Sequence, residues 1–198
     1  MMINNVRIGG KIVRNGVLSY EKDGEKFYEI LLKAESNNTM IICSVTISEN
    51  LLKNVENCMG ERICVVGYLH NSCAYESDEK LKLTVFAQNI ADSGDLDECM
   101  VTLRGIVCKP VIVQTTDNGK TFAKTVISIK HAENHIDYIP IITDDQDLTE
   151  MQSLMEGDRI GAVGVLWSTQ HKKEISPTEM YIITDVADKV FASGFVKL

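Results

Sequence analysis

Few residues in this chain have the means to do covalent chemistry. The six cysteines, Cys43, Cys58, Cys64, Cys73, Cys99 and Cys108, include no C-x-x-C pair, the tight spacing from which structural zinc sites draw two thiolates. Cys64 lies in the apolar run "RICVVGYL", where a thiol serves as a small hydrophobe. "HAENH", His131 to His135, has the spacing of a helical metal pair. It falls at the end of a predicted strand, however, where i and i+4 side chains stand far apart. No phosphate-cradling glycine loop and no nucleophile elbow is present. The expectation is therefore no catalytic site, no metal and no cofactor. What remains is binding chemistry. Phe122, Lys124 and Lys130 are spaced by multiples of two, so an extended chain places a flat ring and two cations on one side. Rings of this kind stack and cations pair with anions, although solvated surface lysines would share the pattern.

The elements that must position these residues occur twice. "DGEKFYEI" (Asp23–Ile30) returns as "NGKTFAKT" (Asn118–Thr125), with Phe27 matching Phe122 at an offset of 95 residues. "VRIGGKIV" (Val6–Val13) pairs with "VTLRGIVC" (Val101–Cys108), which aligns Gly10 with Gly105. "MGERICVVGYL" (Met59–Leu69) pairs with "EGDRIGAVGVL" (Glu156–Leu166), aligning Gly67 with Gly164. "QNI" (Gln88–Ile90) closes the first unit and "TDV" (Thr184–Val186) the second. Four matches in order indicate a duplicated domain. The expected division is residues 1–91, an acidic linker at 92–98 ("ADSGDLDE" at the joint), residues 99–187, and a short tail at 188–198.

Within a unit the apolar period is mostly two, the period of a strand. "FYEILLKA" places Tyr28, Ile30 and Leu32 on one face and Phe27, Glu29, Leu31 and Lys33 on the other. "MIICSVTI", "RICVVGYL" and "KLKLTVFA" read as further strands, and the Gly9-Gly10 pair as a bend or bulge. One segment per unit breaks the pattern. Ser48 to Gly60 has an N-cap residue, a C-terminal glycine and a helical stripe of Leu51, Leu52, Val55 and Met59. Leu148, Met151, Met155 and Gly157 repeat it behind an acidic first turn. Five strands with one short helix between the third and fourth is the plan of an OB-fold barrel. The fold class expected is all-β, two tandem five-stranded OB-fold barrels.

"NNVRIGGKIVRNGVLSYEKDGEKFYEILLKAES" (Asn4–Ser36) resembles the opening of bacterial single-stranded DNA-binding proteins. "GERICVVGYL" is similar to that family's Gly-x-x-Val-x-Val-x-Gly-x-Leu strand and "LTVFAQNI" to its closing strand. The resemblance spans the first unit and, more weakly, the second. It implies sequence-nonspecific binding of single-stranded DNA in replication, recombination or repair. Where the family carries an acidic, Phe-terminated tip that recruits replication and repair proteins, this sequence reads "KVFASGFVKL"; the resemblance implies such proteins as partners, with recruitment through that tip not expected. Because the family commonly assembles four single barrels, a tandem chain implies a homodimer.

OB-folds grip single strands on the face of strands two and three and in the loops after strands one and four, stacking bases on rings. In the first unit the candidates are Arg14, Tyr20, Lys26, Phe27, Lys33 and Tyr75. In the second they are Lys109, Lys120, Phe122, Lys124, Lys130, Trp167, His171, Lys172 and Lys173. Tyr20, Phe27, Phe122 and Trp167 fit a core or subunit contact equally well. The net charge of −8 argues against a large phosphate-binding surface. Glu21, Asp23, Glu25 and Glu29 crowd the first unit's groove, so the second unit is the better candidate. The alternative is an OB-fold scaffold for protein contact without DNA affinity. The N-terminus carries no secretory pattern, so reduced thiols and a cytoplasmic location are expected.

Overall fold

In the computed structural model, residues 1–36, 38–55, 59–71, 83–91, 96–116, 119–130, 135–144, 147–176 and 179–198 are described, 170–184 by backbone path alone. The first unit contains β1 (Ile3–Lys22), β2 (Glu25–Ser36), β3 (Thr39–Ser48), α1 (Glu49–Leu52), β4 (Arg62–Asn71) and β5 (Leu83–Ala91). The second contains β6 (Glu98–Val107), β7 (Ile112–Thr115), β8 (Thr121–Lys130), β9 (Ile136–Thr143), α2 (Leu148–Gln152), β10 (Arg159–Trp167), β11 (Gln170–Ser176), β12 (Glu179–Thr184) and β13 (Lys189–Lys197). No helix among the described residues is long and apolar enough to cross a membrane.

Each unit closes as an OB-fold barrel. In the first, β1 pairs with both β2 and β4, β2 with β3, β3 in parallel with β5, and β5 with β4. In the second, β6, β8, β9, β13 and β10 repeat the same circuit. The strand alternation read from the sequence sets the inside. Ile30, Leu32, Ala34, Ile41, Val45 and Ile47 are buried in one barrel, and Ala123, Ile127, Ile129, Ile139 and Ile141 in the other. The Asp23-Gly24 turn has φ of 53° and 81°, the left-handed pair that Asp-Gly favours in a two-residue hairpin.

The repeated glycines mark close approaches. A Cβ on Gly67 would lie 2.0 Å from the Phe86 carbonyl oxygen, and one on Gly164 2.0 Å from that of Phe191. Both glycines sit at register shifts, where β4 meets β5 and β10 meets β13, so the same bulge closes both barrels. Gly10 and Gly105 likewise press against the carbonyls of Lys33 and Ser128.

Three expectations are corrected. The helices are single short turns: α1 has four residues and α2 five, and Met59 and Met155, expected on their apolar stripes, are exposed. The chain leaves each helix early to bring Gly60 N–H to the Ile12 carbonyl (2.9 Å) and Gly157 N–H to that of Val107 (2.8 Å). Residues 188–198, expected as a tail, supply β13, which pairs with β10 and β9 and completes the second barrel. The far end of the expected linker is structured as well: Glu98 begins β6, and Asp97 is ion-paired with Arg62 and accepts from the Glu35 N–H at 2.7 Å.

The barrels join edge to edge through β1 and β6. The antiparallel register runs from Ile3↔Arg104 to Gly9↔Glu98 and pairs Val6 with its own repeat equivalent, Val101. An approximate two-fold axis therefore passes through that pair, as in an isologous dimer interface. Arg7 Nε donates to Glu98 Oε1 at 2.9 Å and the Cys64 thiol donates to the same oxygen at 3.2 Å.

Two predictions follow from these contacts. Gly67→Ala and Gly164→Ala should each cost about 1–3 kcal/mol in urea unfolding, as over-packing does. Gly194→Ala, whose Cβ would meet nothing nearer than 3.6 Å, should stay within about 0.5 kcal/mol of the parent. The second concerns acid. The hydrogen bonds from Arg7 and Cys64 hold the Glu98 carboxyl below its ordinary 4.5. A depressed folded value means stability that is complete above that pH and lost as the pH falls through the folded value. Glu98→Gln should lower the melting temperature at neutral pH and lessen its further decline between about pH 5 and pH 3.

Candidate nucleic-acid interface

The outward side of each barrel carries aromatic rings at equivalent positions. Barrel register equates Phe27 on β2 with Phe122 on β8, Phe86 on β5 with Phe191 on β13, Tyr68 on β4 with Val165 on β10, and His70 with Trp167. Phe86 and Phe191 were missed in the sequence. The signal was present as "VFA" at Val85–Ala87 and again at Val190–Ala192. The longer connection between β10 and β13 hides it by shifting the offset.

In the first unit the rings fill their own groove. Tyr20 stacks on Phe27 at 4.8 Å between centroids, Phe27 meets Phe86 at 5.6 Å, and Phe86 stacks on Tyr68 at 5.1 Å. Phe27 is consequently buried although it faces outward. Desolvation within this stack, with Asp137 and Tyr20 nearby, pushes the Tyr68 hydroxyl up to about 12. Arg14 is committed to an ion pair with Glu29 on the same outward face. Tyr20 is partly exposed, and Lys26 and Lys33 are exposed.

In the second unit the groove stays open. Val165 occupies the position of Tyr68, and Gln114, opposite Phe122, that of Tyr20. With two rings fewer, a cavity of about 230 Å³ remains between Lys120, Phe122, Val165, Trp167 and Phe191, walled by Ser36, Thr39 and Ile41 of the first unit. Trp167 stacks on Phe191 at 5.0 Å, 27° from parallel. Lys124 and Lys130 are exposed on the outward side of β8 in line with Phe122, and Lys109 is exposed just beyond β6. Of the expected residues, the structure thus gathers Lys120, Phe122 and Trp167 about one cleft, with Lys124 and Lys130 extending from it. His171, Lys172 and Lys173 lie on β11, known by its backbone path. Tyr75 and His131 fall outside the described residues.

Chemically, the second cleft offers half-exposed rings, one lysine (Lys120) and one carboxylate (Asp144) about its cavity, with Lys124 and Lys130 farther along β8. Among the described residues it brings together no nucleophile, base and oxyanion donor. Burial pushes the Cys99 thiol up to about 11, and burial with the Glu98 carboxylate does the same for Cys64.

No protein-family model matches the sequence, and comparison with curated proteins returns no match. The fold has solved counterparts. The wild-type single-stranded DNA binding protein of Thermus aquaticus superposes with a TM-score of 0.73 at 15% identity, covering 100% of this chain and 93% of that one. A deletion mutant of the same Thermus aquaticus protein gives 0.74 at 14% identity, covering 100% and 95%. Coverage of both chains end to end means that the likeness extends to the pairing of two OB-fold barrels in one polypeptide.

Trp167 is the sole tryptophan, so intrinsic fluorescence reports on the second cleft alone. Acrylamide should quench it appreciably in the folded protein, and Phe191→Ala, by uncovering one indole face, should raise the quenching constant. Quenching unchanged by Phe191→Ala would contradict the stacked geometry.

Proposed function

We propose that this chain binds single-stranded DNA without sequence specificity, as a cover for unpaired strands in replication, recombination or repair. The second barrel makes the principal contact. The observation that carries this reading is the open cleft in which Phe122, Trp167 and Phe191 stand beside Lys120. Rings stack on any base, and lysines follow the backbone regardless of sequence. Lys109, Lys124, Lys130 and the β11 residues His171, Lys172 and Lys173 extend the track. The first barrel, whose rings are spent on one another and whose Arg14 is spent on Glu29, is the structural partner, with Lys26 and Lys33 at its margin. The chain acts as a binding protein and not as an enzyme. Two copies would present four barrels, with the exposed Val163 and Val196 on β10 and β13 as the apolar surface for such a dimer.

Fluorescence anisotropy with labelled oligo-dT at low and moderate salt tests the reading. Affinity should fall as salt rises, with each phosphate-neutralising lysine contributing about 0.7 to the log–log slope, so Lys120→Ala should flatten it by that amount. Phe122→Ala and Trp167→Ala should each weaken binding by about 1–3 kcal/mol, roughly 5- to 150-fold. Tyr20→Ala should have little effect. Absence of binding at low salt would favour the alternative of a protein-contact scaffold.

A further inference from the structure

The approximate two-fold axis sets the two ring clefts against each other's barrels, and the two contacts differ in chemistry. Where the first unit's β2–β3 turn walls the second cleft, Thr39 and Ile41 face Trp167. Strand register places His135 at the position of Thr39, Asp137 at that of Ile41, and His70 at that of Trp167. Even the flanking backbone bond is repeated. Ile42 N–H donates to Ser168 Oγ at 3.0 Å in one contact, and Tyr138 N–H to Asn71 Oδ1 at 3.1 Å in the other. Of two equivalent places, then, one holds Thr39, Ile41 and Trp167 and the other two imidazoles and a carboxylate.

We propose that His70, His135 and Asp137 form a site for a divalent transition metal of zinc-like preference, joining the first barrel to the second. His70 Nδ1 lies 2.9 Å and His135 Nε2 3.1 Å from Asp137 Oδ1. One ligand atom from each of the three residues falls within 4.8 Å of the others. A tetrahedral ion with bonds of about 2.0–2.1 Å holds its ligand atoms about 3.3 Å apart, so two of the three spacings are close to what the ion requires. His135 is half exposed just ahead of β9, and the third spacing, within 4.8 Å, must shorten when the ion binds. Asp137 is fully buried, and a buried carboxylate in place of an isoleucine is costly unless a cation or several donors face it. The Asn71 N–H, 3.3 Å from Oδ1, adds the outer support that orients a carboxylate ligand. Two nitrogens and one oxygen suit zinc or its neighbours, whereas magnesium and calcium prefer all-oxygen sets. The fourth position is left to water.

Titration of metal-free protein with Co²⁺, followed by competition with Zn²⁺, tests the site. One Co²⁺ per chain is expected, with the visible absorption of a tetrahedral N/O site and no thiolate-to-metal charge-transfer band. Zinc should displace it and raise the melting temperature, as a ligand of the folded state does. His135→Ala should weaken uptake at least tenfold and abolish the thermal shift. Should His70→Ala fail to fold, His135→Ala, altering a half-exposed side chain, still decides the matter. Uptake equal in wild type and His135→Ala, a thiolate band, or no uptake would each overturn the proposal.

Discussion

The antiparallel pairing of β1 with β6 is the constraint on which the rest of the architecture depends. It aligns Val6 against Val101, residues that are one another's copies, and so imposes approximate two-fold symmetry on a single chain. The pairing uses edges that the barrels would otherwise expose, a liability in any β-protein. The valines are buried and the Arg7–Glu98 ion pair borders the seam. From that seam the remaining relations follow. The start of β3 (Thr39, Ile41) walls the second barrel's ring-bearing face, and the start of β9 (Asp137, Tyr138) meets His70 and Asn71 of the first, so neither face is formed by one domain alone.

Within that symmetry the two faces have diverged by very few side chains. Both barrels use a glycine bulge, Gly67 or Gly164, to bring the last strand close enough to seat Phe86 or Phe191 outward. In the first, Tyr20 and Tyr68 complete a stack that excludes solvent from Phe27. In the second, Gln114 and Val165 leave the corresponding volume open. Dispersion and apolar burial drive both outcomes. Rings that find internal partners stabilise the fold, and rings that do not are left to stack on something else.

How much of this could be read from the sequence depended on the range of the interaction. The duplication was legible because its signals are steric: Gly10, Gly67 and their copies admit no Cβ, and Asp23-Gly24 has the chemistry of its turn. The alternation of Ile30 and Leu32 with Phe27 and Lys33 gave the barrel's inside and outside correctly. Lys120, Phe122 and Trp167 were identifiable by residue type and strand position. Phe191 is hidden because the β11–β12 hairpin displaces the shared "VFA", leaving "TDV" at the offset where the repeat places the closing strand. The helical stripes through Met59 and Met155 were overruled by hydrogen bonds to β1 and β6 that no local pattern announces. His70 and Asp137 are 67 residues apart along the chain, and their convergence rests on the β1–β6 seam. Periodicity carries no information about such a contact.

The seam also changes what a single mutation can do. In a symmetric pair of identical subunits any amino-acid replacement is made in both copies at once, and a groove cannot be reshaped without reshaping its twin. Here the halves are inherited as separate stretches of one gene product while keeping the dimer's geometry. One can be tuned for cohesion and the other for ligand, which is the division of labour that Tyr68 and Val165 already record.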